Sequence, residues 1–190
     1  MEVRMAGPRD MEEVYRLTYR AYFDAGYCEH KPNGKLRHYP QLDEINETYV
    51  LIAIKDGLVV GTVSLTVDGP NMLHVDEDFP REVHAIRCAM CRAGEKLAGC
   101  WRIVTDPASR YQLKIIRLLL SEVSSLAYEL GVDSVLATFH PKHERFYQRI
   151  VGFHTIARGE SKSVGRQGAV LMKINRSPRW LCIGEKNMED

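Results

Sequence analysis

Several groups of residues have types and spacings that suit chemistry. Arg87 and Arg102 carry guanidinium groups, which hold a carboxylate through two hydrogen bonds; an ordinary ion pair is the alternative for each. Arg110, Lys114, Arg117 and Ser121 recur at helical spacing, and Arg145 and Arg149 extend that basic row, which either meets water or receives an acidic partner. Tyr22, Phe23, Tyr27 and Tyr39 gather around a long polar segment and suit the lining of a pocket, although aromatic residues at helical spacing also pack cores. Cys88 and Cys91 form a lone Cys-x-x-Cys with no second pair to complete a zinc site, and Pro141 interrupts the pairing of His140 with His143. No metal is expected. The five cysteines, Cys28, Cys88, Cys91, Cys100 and Cys182, are odd in number and widely spread, so reduced thiols are expected, none in a nucleophile's setting.

These residues must be positioned by a chain of 190 residues with 45% hydrophobic and 27% charged composition, which fits a single compact domain over 1–175 and a tail over 176–190. A formal charge of +1 gives no bulk attraction to nucleic acid or to an anionic membrane. No apolar run approaches the roughly 18–20 residues that a spanning helix needs, and Met1-Glu2-Val3-Arg4 lacks a signal peptide's apolar stretch, so a cytoplasmic protein is expected.

Val3 to Ala6 reads as a strand, and Asp10 with Glu13 reads as a capping box opening a helix to about Gly26. The polar stretch from Cys28 to Glu47 is longer than a simple connection requires, which favours a functional loop. Thr48 to Ile54 and Leu58 to Val67 are β-branched runs joined by Lys55-Asp56-Gly57, a hairpin signal. Pro80 opens either a helix ended by Gly94 or a strand through Val83 to Arg87. Lys96 to Thr105 reads as a strand, and Asp106-Pro107 as the start of an amphipathic helix carrying Ile116, Leu119, Leu120, Val123, Leu126, Ala127 and Leu130, capped at Gly131. Val132 to Phe139 is a strand, Pro141 to Ile150 a short helix, and Gly152 to Ala157 with Ala169 to Ile174 a closing strand pair. The class is α/β (α+β), a twisted mixed sheet of about six to seven strands flanked by helices.

Tyr147-Gln148-Arg149-Ile150-Val151-Gly152-Phe153, after a strand and a short helix, looks like the last core segment of the GNAT acyltransferase superfamily. Val3-Arg4-Met5-Ala6 and Leu58-Val59-Val60-Gly61-Thr62 resemble its opening strand and its second hairpin strand. His140 to Tyr147, Tyr15 to Tyr22 and Pro40-Gln41-Leu42 look more specifically like the N-acyl amino acid synthases, relatives of the acyl-homoserine lactone synthases. That resemblance implies transfer of a long-chain fatty acyl group from acyl carrier protein to a free amino acid such as tyrosine. Coenzyme A-using members cradle pyrophosphate on a glycine-containing loop, whereas the same junction here reads Asp106-Pro107-Ala108-Ser109-Arg110-Tyr111-Gln112. The implied donor is therefore an acyl-phosphopantetheine on its carrier, with no tightly bound cofactor.

Aminolysis of a thioester needs a deprotonated amine, a stabilised oxyanion and a protonated leaving thiolate. The resemblance implies Tyr147 as the acid for the thiolate and backbone groups near Trp101 to Val104 as partners of the thioester. Arg102 and Arg87 are candidate partners for the amino acid carboxylate, and Trp101, Tyr22 and Phe23 for substrate binding. The row Arg110, Lys114, Arg117, Arg145 and Arg149 is a candidate docking face for an acidic carrier. Homoserine lactone synthases have a glutamate three positions before the arginine, where this chain has Gly99. Glu95, with the same strand parity but about 13 Å back, and His143 are the candidate bases, a water relay being the alternative. A coenzyme A-dependent acetyltransferase and a non-catalytic acyl-carrier or lipid-binding module are the competing readings.

Overall fold

The computed structural model describes residues 1–163 and 167–176. Its strands are β1 (Glu2–Met5), β2 (Thr48–Lys55), β3 (Leu58–Val67), β4 (Leu97–Thr105), β5 (Ser134–Phe139), β6 (His154–Ser161) and β7 (Gln167–Asn175). They form one sheet in the order β1-β2-β3-β4-β5-β7-β6. Among the described strands only the β4–β5 pair is parallel. The helices are α1 (Met11–Asp24), α2 (Pro40–Asp43), α3 (Pro80–Ala93), α4 (Gln112–Glu129) and α5 (Glu144–Ile150), with 3-10 turns at His74–Asp76 and Pro141–His143. The mixed α/β class and the order of the main elements follow the sequence reading, while α2 and the turn at His74–Asp76 are additions. The expected tail, with Trp180 and Cys182, lies outside the described residues apart from Arg176.

Alternation along the strands divides the core between two faces. Leu51, Val63, Leu65, Ala98, Val135 and Met172 pack against the buried Ile115, Leu119, Leu120, Val123 and Ala127 of α4. Burial of each leucine, isoleucine or valine there contributes about 1.5–3 kcal/mol. Ile115 rather than Ile116 meets the sheet, and Ile116 is half-buried at an edge. A Cβ on Gly61 would stand 2.4 Å from Ile115 Cγ2, so α4 lies on β3 through a contact that only glycine allows. On the opposite face Val14 of α1 covers Val50 and Ile52, while Val83 and Met90 of α3 cover Leu97, Leu136 and Leu171.

Local chemistry corrects one cap and one boundary, and decides between the two readings offered after Pro80. Asp10 makes no capping box, because its carboxylate accepts both Arg4 Nη1 (2.7 Å) and Nη2 (2.9 Å) together with the Gly7 N–H (2.7 Å). These charge-assisted bonds, the Arg4 pair foremost, hold its pKa at about 2. The α4 helix starts at Gln112 instead of just after Asp106, since Asp106 closes a turn by accepting the Ala108 N–H at Oδ1 (3.0 Å) and the Ser109 N–H at its carbonyl (2.9 Å). Residues 80–93 are helical, and Gly94 at φ 69° ends them, with the Glu95 N–H donating to the Met90 carbonyl (2.9 Å).

Candidate active site

The cleft begins where two neighbouring strands part. β4 pairs with β5 only at Leu97–Ser134, Ala98–Val135 and Gly99–Leu136, after which they diverge. The cause lies on the other side of β4. Thr62 faces Val104 and Ser64 faces Trp101, so β4 holds one residue more than β3 over the same span, and Arg102 within this bulge has φ 52°. A bulge bends its strand, and a positive φ at a non-glycine residue stores strain of a kind found at functional sites. The opening is a cleft of about 430 Å³, within the usual size of a small-molecule site.

On the side of α4 and α5 the cleft meets Cys100, Ile103, Ile116, Phe139, Phe146 and Tyr147. Tyr147 is buried, and its ring stacks on Phe139 with centroids 3.6 Å apart. Burial raises its hydroxyl pKa further above 10, and neighbouring Cys100 and Tyr22 act in the same direction, so Tyr147 keeps its proton at neutral pH. His143 sits at the rim on the turn before α5, where partial burial and the charge of Lys142 lower its pKa and keep it neutral.

On the side of α1 the cleft is polar and aromatic. Tyr22 Oη lies 3.0 Å from His38 Nδ1, and the Tyr39 hydroxyl donates to Ser163 Oγ (3.0 Å). Trp101 is buried, donates Nε1–H to Thr66 Oγ1 (2.9 Å) and meets Tyr39 edge-on at 5.3 Å. His74 stands over Gly99, where a Cβ would come within 2.9 Å of its Nδ1. The space that a side chain at position 99 would need is filled by this imidazole. Burial is the main cause lowering the pKa of both His38 and His74 to about 3, so both rings are neutral.

Four sequence candidates are placed differently from expectation. Glu95 is exposed in the α3–β4 connection and does not line the cleft, because β4 begins only after it, at Leu97. Arg87 also lies outside: its guanidinium donates to Asp68 (2.7 and 3.0 Å) and to Asp76 (2.9 and 2.6 Å), tying α3 to the segment after β3. Phe23 is 48% exposed on α1 and stacks on Tyr19 away from the cleft. Arg102 borders the cleft, but the bulge turns its side chain inward to an ion pair with Asp43, at 0% and 1% side-chain exposure. Its guanidinium carbon lies 4.3 Å from the Trp101 ring, and Nε and Nη1 have no hydrogen-bond partner among the described residues. The guanidinium therefore does not reach the cleft surface. Of the basic row, Arg110, Lys114, Arg145 and Arg149 are exposed and Arg117 is half-buried; none pairs with an acid among the described residues.

Sequence reasoning missed His38, His74, Asp43, Ser161 and Ser163. The one signal for His38 was its place in the overlong loop. For His74 it was the unexplained glycine at 99.

The family model for the N-acyl amino acid synthase FeeM matches residues 13–175. The chain belongs to this family. It is therefore an N-acyltransferase with the GNAT fold. The structure of FeeM, an N-acyl amino acid synthase from uncultured soil microbes, superimposes with a TM-score of 0.77 at 23% identity, covering 95% of this chain and 97% of that one. A GNAT-family acetyltransferase from Streptococcus pneumoniae gives 0.60 at 15% identity, over 93% of this chain and 99% of that one. BjaI, a coenzyme A-dependent acyl-homoserine lactone synthase solved with MTA, gives 0.62 at 15% identity, over 95% and 84%. A search of curated protein sequences returned no match.

Proposed function

We propose that this FeeM-family enzyme moves a long-chain fatty acyl group from acyl carrier protein to the amino group of a free amino acid, tyrosine foremost, in the cytoplasm. The acceptor attacks the thioester directly, and no tightly held cofactor takes part. The observation that carries the donor assignment is the turn before α4. Its N–H groups at Ala108, Ser109 and Tyr111 are engaged by Asp106 Oδ1, the Asp106 carbonyl and Ser109 Oγ, at 3.0, 2.9 and 3.2 Å. Amides already satisfied by their own turn do not cradle a pyrophosphate. A carrier-bound phosphopantetheine has no pyrophosphate to place.

In this reading the pantetheine arm enters between β4 and β5, where the β4 backbone beyond Gly99 has no strand partner on the β5 side among the described residues. Those backbone groups receive the arm and the developing oxyanion. Tyr147, kept protonated by burial, delivers its proton to the departing sulfur. The aromatic and polar half around Tyr22, Tyr39 and Trp101 receives the amino acid, with Lys142 as the cation at that edge of the cleft. Lys142 takes over the carboxylate contact expected of Arg102. Turnover with one acyl chain, presented on carrier protein and on coenzyme A, tests the donor. The carrier form is expected to give the higher kcat/KM by at least about tenfold, and a preference for coenzyme A would refute the assignment.

A further inference from the structure

We infer that Tyr22 and His38 form the proton relay that deprotonates the attacking amine, Tyr22 touching the acceptor and His38 acting through it. This rests on the acyltransfer reading and supplies the base that reading lacks, since Glu95 lies outside the cleft and Gly99 has no side chain.

Three observations carry it. Tyr22 Oη and His38 Nδ1 are 3.0 Å apart, and both residues line the cleft. His38 Nε2 is buried with no partner among the described residues, so the ring's second nitrogen is not committed to holding a neighbour in place. The surroundings leave the ring unprotonated at rest and unable to retain a proton once it has passed: Tyr22 on α1, Tyr39 beside it, Arg102 from β4 and His74 from the 3-10 turn lie around it, and no carboxylate among the described residues pairs with it. Burial and the Arg102 charge hold it neutral. His74 is less suited. Its unpartnered Nδ1 packs on Gly99 and has no hydroxyl to carry a proton to the acceptor. His143 also lines the cleft, but its ring makes no hydrogen bond to a hydroxyl among the described residues that could carry a proton from the acceptor.

Tyr22 acts electrostatically on Tyr147, so the two proton transfers of the reaction occur in one small region. The neutral amine attacks the thioester carbon, the N–C bond forms and the C–S bond breaks. The amine proton passes to Tyr22 Oη as Tyr22 gives its own proton to Nδ1 of His38 in the Nε2–H tautomer. The sulfur takes the Tyr147 proton. His38 then gives its proton back through Tyr22 to solvent, and Tyr147 takes one from solvent, leaving an amide, a free thiol and the enzyme as it began.

The test uses the full chain with acyl carrier protein and the accepted amino acid. His38→Asn keeps a polar atom opposite Tyr22 but cannot accept a proton. Its kcat is expected to fall by about 100-fold or more with the carrier KM unchanged, and the deficit to shrink as pH rises and solvent base substitutes. Tyr22→Phe should lose a similar factor, and added imidazole should restore turnover to His38→Gly. Wild-type kcat and pH profile in His38→Asn, or in Tyr22→Phe should the histidine variants fail to fold, would overturn the relay. So would a loss that neither imidazole nor pH relieves. A wild-type enzyme that forms no N-acyl amino acid from either donor would instead overturn the acyltransfer reading itself.

Discussion

Tyr147, the buried His74 and the half-buried His38 are held in their protonation states mainly by desolvation. For Tyr147 the consequence is kinetic. The Tyr147→Phe enzyme keeps the ring stacked on Phe139 and loses only the proton, so turnover is expected to fall by about 100-fold or more while carrier binding is retained. Steady-state kinetics beside a binding titration checks both halves, and unchanged turnover would remove Tyr147 from the mechanism. For His38 and His74 the consequence is a pH-dependent stability. Both fall from an ordinary 6.5 to about 3 in the folded chain, so between those values the unfolded chain binds more protons. Stability therefore rises with pH through that window and is lost as pH falls from about 6.5 toward 3. Thermal midpoints should drop between pH 7 and pH 5, and less steeply in His74→Gln; identical slopes would show that His74 titrates freely. At this scale the sequence pointed to Tyr147 and Trp101 through the family resemblance and to Tyr22 through an aromatic cluster, and all three line the cleft. It hid His38 and His74, whose neighbours arrive from α1 and β4, distant in the chain.

The elements that shape the site are the bulged β4 and the four-residue α2, joined by the ion pair between Arg102 and Asp43. With both side chains out of water, that pair anchors α2 to the bulge and fixes the position of Tyr39 and His38 immediately before it. Removing one partner leaves a charge buried and unpaired, which costs about 3–5 kcal/mol. Asp43→Asn is expected to lose about that much in denaturant melts; a loss below about 1 kcal/mol would show that the guanidinium finds water or another partner. The hairpin, α4 and the closing strands were legible because period and turn chemistry are local, as in the two-residue Asp56-Gly57 turn with positive φ at both positions. The bulge was not legible, because it is a mismatch between two strands and neither strand alone records it. Arg102 was accordingly assigned to the substrate, when the bulge turns it to Asp43. The late start of α4 follows from competition for Asp106, whose carboxylate closes a turn where a helix cap was expected.

At the scale of the whole molecule, a chain of net charge +1 can draw an acidic carrier only through local charge. Arg110 in the turn before α4 and Lys114 in its first turn, with Arg145 and Arg149 on α5, are exposed and without acidic partners among the described residues. Both helices also line the cleft, through Gln112 and Ile116 of α4 and Phe146 and Tyr147 of α5. Lys114→Glu with Arg117→Glu should raise the carrier KM about tenfold at low salt with kcat little changed, and the difference should fade as salt screens the pairing. An unchanged KM at low salt would refute docking on this face. Among the described residues no helix is long and apolar enough to cross a membrane. The most direct test of the account is to incubate the purified chain with long-chain acyl carrier protein and a pool of all amino acids and to follow products by mass spectrometry. A single dominant N-acyl amino acid, with tyrosine as its acceptor, is the predicted result. Free fatty acid or unchanged carrier, with no N-acyl amino acid from any acceptor, would contradict it.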